Sequence, residues 1–126
     1  MSASAALLCL SMAIYHEARS EPLVGQVAVG YVVMNRVRSP EYPDDVCSVV
    51  TQARQFSFRW LPPRNTGAWE QAVLIGERLL AGDPIVDPTG GALHYHRDDV
   101  AVNWTSGMAP SRIGDRHIFW RGRGMN

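Results

Sequence analysis

Leu7-Leu8-Cys9-Leu10-Ser11-Met12-Ala13-Ile14-Tyr15-His16-Glu17-Ala18-Arg19-Ser20-Glu21-Pro22 is the stretch whose reading decides the fold. Leu7, Leu10, Ile14, Glu17 and Glu21 recur at spacings of three and four residues, which places all five on one helical face. The helix is expected from about Ser4 to Ser20, because Pro22 biases Glu21 away from helical angles. Glu17 then sits in the last turn and faces the core. Burial disfavours an ionised carboxyl, a Glu21 charge one turn on disfavours it further, and the negative end of the helix dipole acts the same way. A carboxyl so placed keeps its proton toward neutral pH and is suited to general acid catalysis. The competing view, a surface salt bridge, leaves a repulsive pair four residues apart on the apolar face unexplained.

Outward from this stretch, Leu23 to Arg38 is apolar nearly all round, and its length favours a buried helix over a strand. Gly25, Ala28 and Gly30 mark places where a second element approaches closely. Ser39-Pro40-Glu41-Tyr42-Pro43 is a turn, and Asp44 is the expected N-cap of a short helix through about Gln52. Gln55 to Pro63, aromatic-rich and closed by a proline pair, reads as an ordered loop or short strand. Thr66 is the expected cap of a helix over Gly67 to Ala81, stopped by Gly82-Asp83-Pro84. A turn, Asp87-Pro88-Thr89-Gly90-Gly91, leads into a strand over Ala92 to His96, and Arg116 to Trp120 reads as a second strand.

With 126 residues and 46% hydrophobic content, the chain can bury one core, so one domain over residues 1–126 is expected. Its 12 basic and 12 acidic residues balance without blocks, which gives no electrostatic reason to expect nucleic acid or an anionic membrane as partner. Every basic residue is Arg, so lysine nucleophiles are excluded. Cys9 lies within a helical apolar pattern, and two free buried thiols are favoured over a Cys9–Cys47 disulfide. The run from Ala5 to Ile14 lacks a basic leader and flows into the Glu17 motif, so no signal peptide is expected. No apolar run of about 18 residues occurs, and no membrane insertion is expected.

The motifs Ile14-Tyr15-His16-Glu17-Ala18-Arg19-Ser20-Glu21-Pro22, Gly25-Gln26, Asn35-Arg36-Val37, Gln55-Phe56-Ser57, Asp87-Pro88-Thr89-Gly90-Gly91-Ala92 and Ile113-Gly114 with His117 and Phe119 stand in order across the chain. Together they resemble the SleB-type cell wall hydrolases, a family that includes spore cortex-lytic enzymes and related phage endolysin-like domains. The resemblance implies an α+β, lysozyme-like fold, mostly helical with a small antiparallel β region. It also implies cleavage of the β-1,4 bond between N-acetylmuramic acid and N-acetylglucosamine by a lytic transglycosylase whose one catalytic glutamate is Glu17. The chain departs from the family in Ser20, commonly Gly, and in Phe58-Arg59-Trp60, which follows no firm family pattern.

The catalytic candidates are Glu17 and Glu21. Glu21 has four open roles: the nucleophile of a retaining pair, a group that tunes Glu17, an acceptor for loop backbone, with Arg19 or Arg36 as counter-charge, or a purely structural ion pair. Tyr95, Trp60 and Trp104 are the candidate sugar-stacking rings, while Phe56 and Trp69 are assigned to packing. Gln26, Gln52, Gln55 and Ser57 are candidate hydrogen-bonding partners of acetamido or hydroxyl groups. His94 and His96 share a strand face, with His16 and His117 as further nitrogens, but no zinc-protease spacing occurs; no metal and no cofactor are expected. A hydrolytic muramidase, a non-catalytic peptidoglycan-binding module and a metal-dependent amidase are the alternatives. The expected partner is the peptidoglycan glycan strand, met in the periplasm or outside the cell by a monomer held in the cytoplasm until a membrane-permeabilising partner releases it.

Overall fold

The computed structural model describes residues 3–52, 66–82 and 85–122. Four helices, α1 (Ala3–Ala18), α2 (Leu23–Val37), α3 (Val46–Thr51) and α4 (Thr66–Ala81), precede three strands, β1 (His94–Arg97), β2 (Ala109–Ile113) and β3 (His117–Arg121). The expected mostly helical architecture with a small antiparallel sheet is what forms.

α1 is the central helix. It packs against α2, α3 and α4, and every residue from Cys9 to Tyr15 is buried. The stripe of Leu10 and Ile14 is therefore one side of a helix covered nearly all round, and burying each such side chain contributes about 1.5–3 kcal/mol. Close approach is made possible by α2's glycine. A Cβ at Gly30 would lie 2.6 Å from a Leu79 methyl and 3.2 Å from one of Ile14, so α1, α2 and α4 meet where a side chain is missing.

Cys9 and Cys47 are joined in a disulfide between α1 and α3, their Cα atoms 5.2 Å apart across 38 residues of sequence. This corrects the expectation of free thiols. The pattern around Cys9 does mark a buried face, but only the packing of short α3 along that face brings Cys47 to it. The α3 cap is Asp45, one residue later than expected, with its side chain accepting from the Ser48 N–H at 3.4 Å.

The sheet has strand order β1-β3-β2, antiparallel throughout, with Tyr95 opposite Phe119 and Ser111 opposite Phe119 on the other side. Central β3 turns Phe119 onto Ala28, Val29 and Val32 of α2, and Ala18 and Ala92 close that second cluster. β2 has no counterpart among the expected elements. Its residues Ala109-Pro110-Ser111-Arg112-Ile113 alternate in burial but offer little apolar contrast, and Pro110 is tolerated because β2 is an edge.

The Asn35-Arg36 pair at the end of α2 fixes the entry to β1. Asn35 Nδ2 donates to Asp87 Oδ2 and to the Ala92 carbonyl, both at 3.0 Å, and Arg36 Nε donates to the Leu93 carbonyl at 2.8 Å. Asp87 in turn accepts from the Thr89 N–H, the Thr89 hydroxyl and the Gly91 N–H. A further tie runs from the Tyr31 hydroxyl to the Ile85 carbonyl. Arg36 is thus committed to backbone and to the face of Tyr42 rather than serving as a counter-charge to Glu21.

Candidate active site

A cleft of about 380 Å³ opens between the C-terminal end of α1 and the sheet. His16, Glu17, Ser20 and Glu21 line it from the helical side, Tyr95, His96 and Arg97 from β1, Arg116 from the β2–β3 turn and His117 from β3.

Glu17 occupies the last turn of α1, as expected. Its Oε1 accepts from the Tyr95 hydroxyl at 2.8 Å. Burial holds the Glu17 carboxyl above the usual glutamate range, and the Tyr95 hydrogen bond works against that rise without cancelling it. The rise thus comes from desolvation, the first of the causes expected from the sequence, and the Glu21 charge is not among its causes. Tyr95 itself is pushed well above the usual phenol range, by burial first and then by Glu17, so it stays a neutral donor. Its ring is held by stacking on Phe119, centroids 5.3 Å apart, and by the edge of His117 at 5.0 Å.

Glu21 does not extend the α1 stripe. The helix ends at Ala18, and a tight turn in which the Glu21 N–H bonds the Ala18 carbonyl carries the chain away from the axis. The Glu21 side chain is buried, and its Oε1 accepts from the Asp115 N–H at 2.8 Å and the Arg116 N–H at 3.3 Å, in the turn between β2 and β3. Gly114 makes this possible: its φ of +76° is a left-handed conformation, and a Cβ there would run into Glu21 Oε1. His117 Nδ1 lies 3.8 Å from the same oxygen. Burial pushes the His117 pKa below its usual range, with Glu21 pulling the other way.

The remaining candidates separate. Gln26 is buried, with its amide nitrogen donating to the Glu21 carbonyl at 2.9 Å and its oxygen accepting from Gln71 at 3.4 Å. It braces the Glu21 turn from outside the cleft lining, in place of the expected sugar contact. Trp104 is 38% exposed and packs on His94 and His96, so only His96 connects it to the cleft. Gln52 is exposed at the end of α3. Gln55, Phe56, Ser57 and Trp60 lie outside the described residues. Trp69 packs edge-on against Tyr15 in the core. Arg19 donates to the Tyr15 hydroxyl at 2.9 Å and does not pair with either glutamate. Among the described residues no group of three His, Cys, Asp or Glu side chains is placed to hold a metal ion, and no helix is long and apolar enough to cross a membrane.

The sequence reading gave no site role to Arg97 or Arg116, and weighed His16, His96 and His117 for a site role only as metal ligands. Arg116 is brought to the cleft by the turn that Gly114 opens, and the Ile113-Gly114 motif was the available signal.

Comparison with known proteins agrees in several ways. A family model described as Cell Wall Hydrolase matches residues 20–120, beginning just after Glu17. The spore cortex-lytic enzyme of Halalkalibacterium halodurans is 38% identical over 117 residues, covering 87% of this chain and 33% of that protein. That of Bacillus subtilis is 34% identical over 116 residues, covering 87% of this chain and 35% of the relative. The chain therefore spans about a third of the length of these curated relatives. The crystal structure of the catalytic domain of the Bacillus cereus SleB protein superposes with a TM-score of 0.74 at 30% identity, covering 96% of this chain and 93% of that one. The catalytic domain of the germination-specific lytic transglycosylase SleB from Bacillus anthracis gives 0.72 at 31% identity, with 96% and 97% covered.

Proposed function

The chain belongs to the cell wall hydrolase family, and on that premise we propose that it is a single catalytic domain cleaving peptidoglycan glycan strands as a lytic transglycosylase. Its bond is the β-1,4 linkage between N-acetylmuramic acid and N-acetylglucosamine. The observation that carries this reading is one carboxyl, Glu17, lying in the cleft with its pKa raised by burial and its Oε1 bound by the Tyr95 hydroxyl.

In the proposed cycle Glu17 donates its proton to the glycosidic oxygen as the bond to the muramyl C1 breaks, so the N-acetylglucosamine leaves as an alcohol. The Glu17 carboxylate then accepts the proton of the C6 hydroxyl on the same muramyl residue. That oxygen closes onto C1, giving a 1,6-anhydro ring, and Glu17 regains its proton. No water is consumed and no second carboxylate is required. Tyr95 binds Oε1 throughout and lowers the cost of the ionised intermediate, leaving the other oxygen to carry the proton. Glu21 supports the single-carboxylate reading, because its Oε1 is occupied by two backbone N–H groups rather than offered to a sugar. Glu21 and Gln26 are positioning residues in this account.

Digestion of purified peptidoglycan, read as fragment masses before and after borohydride reduction, tests it. Non-reducible 1,6-anhydro ends from the wild type but not from Glu17→Gln are expected. Reducible ends would replace the transglycosylase by a hydrolytic muramidase, and intact strands would leave only a binding module.

A further inference from the structure

The cleft carries two permanent positive charges that the cutting reaction does not use. Arg97 and Arg116 both line it, and no aspartate is among the described residues that do. They come from the end of β1 and the adjoining β2–β3 turn: Arg97 stands opposite His117 in the β1–β3 register, and the Asp98 N–H donates to the Arg116 carbonyl at 2.7 Å. Of the neighbouring acids, one pairs with a third arginine and the other pairs with Arg97 itself. Asp98 takes Arg112 at 2.7 Å, and Asp99 takes one Nη of Arg97 at 2.8 Å on an exposed surface. A guanidinium has five N–H donors, so Arg97 retains most of its capacity. Arg116 is exposed, and its contacts to Glu21 and Asp98 are made by its backbone N–H and carbonyl.

Strand alternation puts Arg97 on the same face of β1 as Tyr95, about 7 Å further along at the rise of an antiparallel strand. A ligand lying against Glu17 and Tyr95 therefore meets the two arginines immediately beside its reacting centre. In a peptidoglycan glycan the sugars are neutral, and negative charge is found on the muramyl C3 substituent, as a lactyl carboxylate or as the carboxylates of a stem peptide.

Resting on the lytic reading of the same site, we propose that Arg97 and Arg116 recognise a carboxylate on the muramyl substituent, so that this chain selects acidic over charge-neutral glycan strands. The Arg pair then acts as a specificity determinant, by charge-assisted hydrogen bonds that a neutral lactam, amide or ester cannot accept in the same way.

The test uses Glu17→Gln protein, which binds without turnover, and three soluble glycans: strands with peptide stems, strands stripped to the free lactyl acid, and the stripped strands with carboxylates capped as neutral amides. The expected preference for acidic over capped strands is about threefold to tenfold, the range for charged hydrogen bonds at a half-exposed rim, and it shrinks as salt is raised. Adding Arg97→Gln and Arg116→Gln brings the ratio close to one, Arg97→Lys with Arg116→Lys restores part of it, and Arg78→Gln on α4 leaves it unchanged. Tighter binding of stems than of lactyl acid assigns the contact to the peptide, and equal binding assigns it to the lactyl group. Equal affinity for capped and acidic strands overturns the proposal, as does a preference that survives the double Gln variant. Cleavage of all three glycans by the wild-type chain is scored separately: its absence counts against the lytic reading, while the binding ratio still decides the role of the arginines.

Discussion

The end of α1 and the link to α2 hold the same functional group, four residues apart, in contrasting surroundings. Around Glu17 the carboxyl meets partial burial, one neutral hydroxyl and an open cleft. Around Glu21 it meets two backbone N–H groups, a glycine with no side chain to displace it, and a buried imidazole. The first setting raises the carboxyl's pKa and so favours its protonated form. The second makes the carboxyl a clasp that fastens the helical layer to the β2–β3 turn and so sets where His117, and with it Tyr95, stands. Chemistry in this fold is decided by solvation and by what kind of donor reaches each oxygen, since the residue type is the same and only four residues separate the two.

The largest effect is expected from removing the carboxyl on the catalytic side. Glu17→Gln should lower glycan cleavage by about 10²–10⁴-fold, the range for general acid–base groups, without lowering stability. The sign follows from linkage. The folded pKa of Glu17 lies above its unfolded value, so its favourable contribution is complete below the unfolded pKa and is lost as pH rises through the folded one. A neutral Gln escapes that loss, and denaturant melts at neutral pH should show equal or greater stability than wild type. A clear loss of stability would mean that Glu17 is a structural residue.

Reducing the Cys9–Cys47 bridge should cost about 3–4 kcal/mol for a loop of 38 residues, seen as a lower denaturation midpoint. The pH profile of the cutting reaction should keep its shape, since the bridge sits behind α1 and not at the cleft. A profile that moves with reduction would show that the rigid side of α1 also tunes Glu17.

On the clasp side, Glu21→Ala leaves the Asp115 and Arg116 N–H groups without their acceptor and should cost about 1–3 kcal/mol. Glu21→Gln keeps a carbonyl oxygen there and should recover most of that in the same melts. Gly114→Ala should destabilise by about 1–2 kcal/mol from its left-handed backbone alone, with the collision at Glu21 added. Were Glu21→Gln to remove activity as fully as Glu17→Gln while leaving stability intact, Glu21 would belong to the chemistry and the contrast would collapse.

The smallest change sharpens the contrast most. Tyr95→Phe removes the hydrogen bond that lowers the Glu17 pKa and keeps the ring on Phe119. The alkaline limb of the pH–rate profile should move to higher pH, while cleavage at its optimum falls only severalfold, as expected for one hydrogen bond worth about 1 kcal/mol.

Much of this was legible in the sequence, for identifiable reasons. Leu10, Ile14 and Pro22 fix the helix and its end, so Glu17 could be placed before any coordinates. The stop at Gly82 and the turn over Asp87 to Gly91 follow from local backbone chemistry, and that turn could be tied to β1. What stayed hidden depends on contacts between distant segments. Cys47 reaches Cys9 only because α3 lies along α1, Asn35 and Arg36 find the Asp87 turn and the Leu93 carbonyl over 50 residues away, and Glu21 meets Asp115 across 94. Strand β2 carries its alternation in Ala, Ser and Ile between Pro and Arg, too faint a signal without its partner. Gln26 looked available for a sugar because its polarity is visible in sequence and its bond to the Glu21 carbonyl is not.

The central claim is that burial makes Glu17 a proton donor, and carboxyl-selective NMR titration of Glu17 in the free protein measures it directly. The account predicts a Glu17 pKa above the ordinary value of about 4.3, rising further in Tyr95→Phe. A Glu17 that titrates at or below that value, or that falls when the Tyr95 hydroxyl is removed, would contradict it.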